Sequence, residues 1–261
     1  MQNGIDFQID EPGIAVIRVN RPQARNALDW TTQTAFAEAV TAVSQNEMVR
    51  VLIITGTGDH AFVAGGDLKE LSQHPETAAG ARLNAVMSAA LLQLTQLPVP
   101  VIAAVNGDAI GGGCEILTAC DLCLAAPHVH FGFAQVRVAL TTGWGGTARL
   151  VRLIGQSRAT ELLLTARRFD VTEAMNLGLI HRIIPDGTSV LVEARIWARE
   201  LTALPRQALA ATKQLVQTAV SAPLATTYAQ EHDLFIQLWS QPDHLEALAA
   251  FVEKRKPVFN Q

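Results

Sequence analysis

The chain is organised around residues 98–121, PVPVIAAVNGDAIGGGCEILTACD. Its apolar, largely β-branched run at residues 99–105 is short and closed by turn residues, which predicts a buried strand. Three consecutive glycines at residues 111–113 let the backbone approach a ligand closely, because no Cβ stands in the way. Glu115 follows in the first turn of a predicted helix, where free N–H groups and the positive end of the helix dipole point outward. We therefore expect N–H donors and a carboxylate to share one small volume, where the chemistry takes place.

A second glycine segment repeats this pattern. Residues 51–56, VLIITG, predict another buried strand, and residues 61–70, AFVAGGDLKE, pass from apolar to small residues and into a helix start. We expect the backbone N–H of Gly66 to face that of Gly112. Two such groups about 3 Å from one oxygen form an oxyanion hole, and removing one donor typically costs about 2.7–4 kcal/mol of barrier. Neither segment matches G-x-G-x-x-G or a P-loop, which disfavours nucleotide binding by those routes.

Length and charge exclude several classes of protein. The 261 residues suffice for one large α/β domain, alone or with an appendage. The net charge of −4 and a pI near 6.0 give no general attraction to nucleic acid or to an anionic membrane. No apolar run reaches the roughly 18 residues that span a bilayer, and the amino terminus lacks the basic start and apolar core of a secretion signal. We expect a cytoplasmic protein, with a cleaved transit peptide left open.

The three cysteines, Cys114, Cys120 and Cys123, fall within ten positions of one another. Their odd number argues against a disulfide framework. The pair Cys120-x-x-Cys123 with His128 and His130 resembles ligand spacing only loosely, since the two histidines are too close together for the usual zinc pattern. We expect small buried hydrophobic residues and no metal site.

Two arginines stand out in the polar loop that precedes the first long predicted helix, residues 29–45. Arg21 and Arg25 are either solvated loop charges or phosphate contacts, since guanidinium binds phosphate oxygens in fork geometry.

Past a boundary near Pro185 the chain changes from alternating strands and helices to helix alone. The predicted helices cover residues 191–202, 206–219, 223–238 and 242–254. We expect Trp197, Trp239 and Phe251 in this tail to pack on a neighbouring subunit.

Six short patterns follow one another along the chain: NRP (20–22), AFVAGGDLK (61–69), AAVNG (103–107), GGGCE (111–115), GGTARL (145–150) and FVEKRKP (251–257). Together they resemble the enoyl-CoA hydratase/isomerase (crotonase) family over essentially the whole chain. The resemblance implies an α/β fold with a crotonase-like spiral of ββα turns over residues 1–187, which holds the active site. It further implies a C-terminal all-helical oligomerisation region over residues 188–261 that drives trimers, often stacked as hexamers.

The implied ligand is an acyl-CoA thioester whose carbonyl oxygen lies between the N–H groups of Gly66 and Gly112. Coenzyme A is then part of the substrate, and the family needs no further cofactor and no metal. No nucleic acid or membrane partner is implied. The positions implied for the coenzyme A end are Arg25, Ala64, Lys69 and, from a neighbouring subunit, Lys254.

Glu115 matches one of the two glutamates of hydratases, although a helix-start glutamate is also common for its interaction with the dipole. The second glutamate would lie twenty residues later, where this chain has Gln135, which is either a polar site residue or a loop residue. A neutral amide orients water but does not exchange a proton near pH 7. Trp144 either narrows and dries the acyl pocket or packs under a turn.

The favoured function is that of an acyl-CoA lyase that hydrates a 2-enoyl-CoA, or dehydrates its product, through an enolate held in the oxyanion hole. Glu115 would handle the proton and Gln135 would position the water. One alternative is decarboxylation of a malonyl-CoA-type thioester such as ethylmalonyl- or methylmalonyl-CoA, which needs no base. Double-bond isomerisation is another. An oligomeric CoA-ester binder with little turnover represents a different class, and an RNA-binding role is disfavoured by the acidic pI.

Overall fold

The structure is a computed structural model that describes residues 4–10 and 12–259. Within these residues the strands are β1 Ile5–Asp10, β2 Ile14–Val19, β3 Val51–Gly56, β4 Ala61–Val63, β5 Val101–Val105, β6 Asp108–Ile110, β7 Leu122–Ala125, β8 His130–Gly132, β9 Phe169–Asp170 and β10 Arg182–Ile183. The α-helices are α1 Trp30–Gln45, α2 Leu68–Leu71, α3 Thr77–Gln96, α4 Gly112–Leu117, α5 Gly146–Ile154, α6 Gln156–Thr165, α7 Val171–Asn176, α8 Val190–Thr202, α9 Arg206–Ser221, α10 Leu224–Trp239 and α11 Pro242–Glu253, with 3-10 turns at Pro22–Ala24 and Gln135–Val138.

The larger sheet has the strand order β1-β2-β3-β5-β7-β10. β1 and β2 pair antiparallel, and every later pair in the sheet is parallel. All residues of β3 and β5 are buried, which is the usual burial for inner strands of a parallel sheet covered on both faces. The two buried strands predicted from their apolar runs are therefore confirmed.

The smaller sheet has the order β4-β6-β8-β9 and explains why the chain winds as a spiral. After β3, β5 and β7 the chain turns and contributes one short strand to the smaller sheet before the next helix begins. Sequence reasoning missed β6 and treated residues 106–113 as one glycine-bearing turn. β6 has three residues, between the turns at Gly107 and Gly111, which is too short for a periodic pattern to show.

Helix α4 carries Glu115 and lies inside the molecule. All six of its residues are buried. A Cβ at Gly113 would lie 1.9 Å from the carbonyl oxygen of Val63, so only glycine allows this helix to approach β4 so closely. Gly111, with φ 57° and ψ −115°, supplies the backbone turn that starts the helix.

Between β10 and Glu253 the regular secondary structure consists of the four helices α8 to α11. α8 packs against the larger sheet, and its Ala194 and Ala198 belong to the main hydrophobic core. Trp197 is also buried there, with the Arg182 guanidinium 3.8 Å from its ring centroid, so our expectation that it packs on a neighbouring subunit is wrong. Trp239 and Phe251 are exposed. The outer ends of the two predicted regions, residues 1–3 and 260–261, lie outside the described residues.

Candidate active site

The Glu115 carboxylate is almost completely buried, with 2% of the residue exposed, and four N–H donors surround it. Oε2 accepts hydrogen bonds from the backbone N–H groups of Trp144 at 2.8 Å and Gly146 at 2.9 Å. Oε1 accepts from the backbone N–H of Gly143 at 3.2 Å and from the Gln135 side chain at 2.9 Å. A carboxylate offers about four lone-pair positions. Every one of them is matched by a donor, so the side chain is fixed in one orientation.

The segment of residues 142–146 wraps around this carboxylate closely. A Cβ at Gly146 would lie 2.5 Å from Cγ and 2.7 Å from Oε2 of Glu115, so this approach requires glycine. On the other side of the segment, the carbonyl oxygen of Gly143 accepts hydrogen bonds from Asn84 and from Ser88 Oγ, both on α3. The N–H groups of the segment therefore face Glu115 while this carbonyl faces away.

Gln135 lies at the start of a 3-10 turn and points its amide at Glu115. Because a carboxylate only accepts hydrogen bonds, the amide must turn its Nε2 towards Glu115, and this fixes the positions of its nitrogen and oxygen. Gln135 Oε1 is buried and has no hydrogen-bond partner among the described residues. The pair therefore presents a free acceptor beside a carboxylate.

The two glycine segments predicted to form an anion site lie against each other. A Cβ at Gly65 would be 3.0 Å from the backbone nitrogen of Gly112. Gly112 is the first residue of α4, where an N–H has no partner within its helix. On either side of Gly66 the backbone is hydrogen-bonded to Leu28, through the carbonyl of Gly65 and the N–H of Asp67. For the N–H of Gly66 itself no hydrogen bond is found within residues 4–10 and 12–259.

Trp144 packs its indole over Gly112. A Cβ at Gly112 would lie 2.1 Å from Cζ3 of the ring, and only 4% of Trp144 is exposed. The residue thus contributes its backbone N–H to Glu115 and its side chain to the wall beside Gly112.

Arg21 makes its polar contacts within the chain. Its guanidinium forms ion pairs with Asp29 at 2.9 Å and Asp67 at 3.0 Å and donates to the carbonyl oxygen of Ala27. It therefore holds the loop before α1 against the segment that contains Gly66, and it is not the solvated loop charge that was one of the two alternatives.

The residues predicted for the coenzyme A end lie at several places on the surface. Arg25 lies just after the 3-10 turn at Pro22–Ala24 and is exposed, and its backbone adopts the left-handed conformation with φ 52°. Ala64 is partly buried between β4 and Gly65, and Lys69 is exposed on α2. Lys254 is exposed at the end of α11, far along the chain from the others.

The three cysteines pack in or against the hydrophobic core. Burial raises the pKa of the Cys114 thiol to about 12, and its S–H donates to the carbonyl oxygen of Ala109 at 2.9 Å. Burial also raises the pKa of Cys120 and of Cys123. In the part of the chain that the structure describes, no group of three or more histidine, cysteine or acidic side chains is arranged to hold a metal ion.

Sequence reasoning missed the donors around Glu115. The motif GGTARL marks this segment, but backbone N–H groups of residues 143, 144 and 146 leave no trace in residue types. Asn84 and Ser88 carry no motif at all.

A protein-family model described as "Enoyl-CoA hydratase/isomerase" matches residues 10–261. The chain belongs to this family. The short-chain-enoyl-CoA hydratase of Clostridium acetobutylicum is 34% identical over 246 residues, covering 94% of each chain. The crotonyl-CoA hydratase of Syntrophomonas wolfei is 35% identical over 249 residues, covering 95% of each. Both matches extend over nearly the full length of the relatives.

The crystal structure of an enoyl-CoA hydratase from Bacillus anthracis superimposes with a TM-score of 0.93 at 33% identity, covering 98% of each chain. The α/β crotonase-like fold expected from the six patterns is therefore confirmed, and so is the assignment to the enzymes of the hydratase/isomerase family. No helix among the described residues is long and apolar enough to cross a membrane.

Proposed function

We propose that this member of the family hydrates short-chain 2-enoyl-CoA thioesters, or dehydrates the corresponding 3-hydroxyacyl-CoA. The observation that carries the proposal is the pair of buried Glu115 and partly buried Gln135, which offers one carboxylate and one unpartnered acceptor. The relatives named as short-chain-enoyl-CoA and crotonyl-CoA hydratases favour the same reaction.

The thioester carbonyl oxygen lies between the N–H groups of Gly66 and Gly112. Both groups lack a protein partner within the described chain, and Gly65 brings the two segments into contact. Negative charge develops on this oxygen as water adds to Cβ and an enolate forms. Each fixed donor then stabilises the transition state by about 2.7–4 kcal/mol.

One carboxylate is sufficient to balance the protons. The attacking water donates one hydrogen bond to Glu115 and another to Gln135 Oε1, which leaves an oxygen lone pair for Cβ. Glu115 removes the first proton and returns it to Cα as the enolate collapses, so that OH is added at Cβ and H at Cα. The water replaces one of the four donors on Glu115, and the 3.2 Å bond from Gly143 is the longest of them.

Trp144 forms the wall of the acyl pocket. Its indole packs on Gly112, next to the proposed carbonyl site, and its bulk limits the pocket to short acyl chains and excludes water other than the one that reacts.

Coenzyme A binds as part of the substrate, and we assign no further cofactor. The cationic side chains of Arg25 and Lys69 are exposed and suited to its phosphates, with Ala64 beside the pantetheine path. Lys254 serves the site of a neighbouring subunit in a homotrimer or homohexamer. The exposed aromatic side chains of Trp239 and Phe251 support such an assembly, since exposed apolar surface marks interaction sites. Nothing in the proposal calls for a nucleic acid or a membrane partner, and a cytoplasmic location is consistent with it.

A second candidate is decarboxylation of a malonyl-CoA-type thioester. The neutral Gln135 amide favours it, because the residue opposite Glu115 cannot act as a base near pH 7. Loss of carbon dioxide needs no base and uses the same oxyanion site.

The deciding experiment incubates the purified protein with crotonyl-CoA, methylmalonyl-CoA, ethylmalonyl-CoA and 3-enoyl-CoA, and identifies the products by mass and chromatography. Hydration adds one water to crotonyl-CoA, decarboxylation removes carbon dioxide, and isomerisation changes retention without changing mass. Turnover of the malonyl esters with none of crotonyl-CoA would replace the first proposal by the second. The Gln135→Glu variant, tested in parallel, shows by a gain in hydration whether this position limits the reaction.

A further inference from the structure

The Arg149 guanidinium bridges helix α4 and the segment that surrounds Glu115. Its Nη2 donates to the backbone carbonyl oxygen of Trp144 at 2.8 Å and to that of Glu115 at 3.1 Å. Its Nε donates to Thr118 Oγ1 at 3.2 Å. Burial lowers the pKa of Arg149, and the charge of Glu115 acts in the opposite direction. This side chain therefore holds the two elements whose relative position determines the donor set of the carboxylate.

Two consecutive peptide groups of the segment accept hydrogen bonds at their carbonyl oxygens, and three of its N–H groups donate to Glu115. The N–H of Trp144 donates to Glu115 Oε2, while its carbonyl accepts from Arg149. The N–H of Gly143 donates to Glu115 Oε1, while its carbonyl accepts from Ser88 Oγ at 3.0 Å. The Ser88 bond holds the peptide group whose N–H, that of Trp144, points at the carboxylate, and the Arg149 bond holds the next peptide group, which lies between the donors Trp144 and Gly146. Arg149 and Ser88 therefore act as two ends of one clamp.

Proton transfer disturbs this arrangement. When Glu115 takes a proton from water, its oxygens attract the N–H donors less, and the segment is then held mainly through its carbonyl oxygens. Those are the bonds made by Arg149, Ser88 and Asn84. A clamp that does not depend on the charge of Glu115 preserves the geometry until the proton reaches Cα.

We propose that Arg149 is a positioning residue for hydration, which acts through the backbone of Trp144 and Glu115 to keep the carboxylate aligned during proton transfer. This inference rests on the proposed function, because it assigns Arg149 to the step in which Glu115 moves the proton. It assigns no contact between Arg149 and the substrate.

The test compares Arg149→Met, Arg149→Lys and Ser88→Ala with the matched control Arg152→Met, an exposed arginine on the same helix. We expect Arg149→Met to lower kcat for crotonyl-CoA hydration by about 10²-fold, the size that a misplacement of about 1 Å produces. KM should change less than about threefold, since substrate contacts are intact. Millimolar guanidinium should restore part of kcat, whereas equal urea should not.

Further readouts separate positioning from simple stabilisation. The acid limb of the kcat–pH profile should shift in Arg149→Met and return towards wild type in Arg149→Lys, which keeps the charge. Ser88→Ala should lower kcat in the same direction by a smaller factor, and the losses from Ser88 and Arg149 should be non-additive because they act on one segment. Ser88→Ala and Arg149→Lys retain the volume of the site and keep the inference testable if Arg149→Met fails to fold.

The inference is overturned if folded Arg149→Met keeps kcat within about twofold of Arg152→Met, or if it loses thermal stability while its kcat and pH profile per folded molecule are unchanged. A rise in KM alone also contradicts it. Glu115→Gln is measured in the same series to separate the two proposals. If Glu115→Gln retains wild-type turnover, the proposed function itself fails; if Glu115 is essential and Arg149→Met is unimpaired, only the role of Arg149 fails.

Discussion

Replacement of Glu115 by glutamine tests the site sharply, because the amide has nearly the same shape but carries an NH₂ group where the carboxylate has only acceptors. At the Oε2 position this group would face the backbone N–H groups of Trp144 and Gly146, which cannot turn away. At the Oε1 position it would face the Gly143 N–H and the Gln135 side chain. Gln135 can rotate its amide to present the oxygen that is now unpartnered. We therefore expect the variant to place its NH₂ group on the Gln135 side.

The magnitudes follow from this arrangement. Rotation of Gln135 satisfies the new NH₂ group but turns Gln135 Nε2 into the buried position that Oε1 now holds, so two donors, this Nε2 and the Gly143 N–H, lose their acceptor. Each unsatisfied buried donor costs about 1–3 kcal/mol, and we expect the lower end for the Gly143 N–H because Gly143 is partly exposed. The loss of turnover should be the larger effect, since loss of a general acid–base group typically lowers the rate by about 10²–10⁴-fold.

The assay measures crotonyl-CoA hydration and the free energy of unfolding in urea for Glu115→Gln and for Glu115→Gln combined with Gln135→Leu. Leucine removes the acceptor of the new NH₂ group but also removes the displaced NH₂ group of Gln135, so the two changes offset each other and the double variant should have about the same free energy of unfolding as the single variant. Turnover equal to that of wild type would refute the role of Glu115. A single variant as stable as wild type would refute the hydrogen-bond reasoning.

Three further predictions concern packing, charge and pH. Gly112→Ala places a Cβ 2.1 Å from the Trp144 ring, so it should destabilise by about 1–3 kcal/mol in urea unfolding, and Trp144→Leu should relieve part of that cost in the double variant. Lys213→Met removes the partner 2.7 Å from partly buried Asp121 and should cost about 1.5–3 kcal/mol by the same measurement, whereas an unchanged midpoint would contradict the pairing. Burial lowers the pKa of His181 in the folded protein. Its contribution to stability is therefore present above the ordinary pKa near 6.5 and is lost as the pH falls towards the folded value. The melting temperature should fall less between pH 7 and pH 5 in His181→Asn than in the wild-type protein.

The fold was predictable from the sequence where apolar runs were long enough to show a period. β3 and β5 are buried along their whole length, and α1 begins one residue after the predicted start because Asp29 caps it by accepting from the N–H of Thr32. The second sheet was not predictable, because β4, β6 and β8 have three residues each. Its existence depends on pairing between segments far apart in the chain, which no local pattern records.

The candidate site was predictable only in its side chains and its glycines. Glu115, Gln135 and the two glycine segments stand out as residue types in an ordered series of motifs, and the structure brings Glu115 and Gln135 into direct contact. The backbone donors from residues 143, 144 and 146 were not predictable, since every residue except proline has an N–H and only the folded path directs it. Arg149 was visible in its motif, but its role depends on carbonyl groups that the sequence does not distinguish.

The contact between Glu115 and Gln135 shows why an amide at this position changes the chemistry as well as removing a charge. Their facing atoms are 2.9 Å apart. Two carboxylates at that distance would repel each other, and one of them would have to hold a proton. The amide avoids this repulsion by donating to Glu115, and it keeps its oxygen free for a second donor. A site of this kind carries a single negative charge that belongs to Glu115. The same atom that accepts the proton from water must then deliver it to Cα, which is why the alignment of Glu115 matters more here than in a site with two acidic groups.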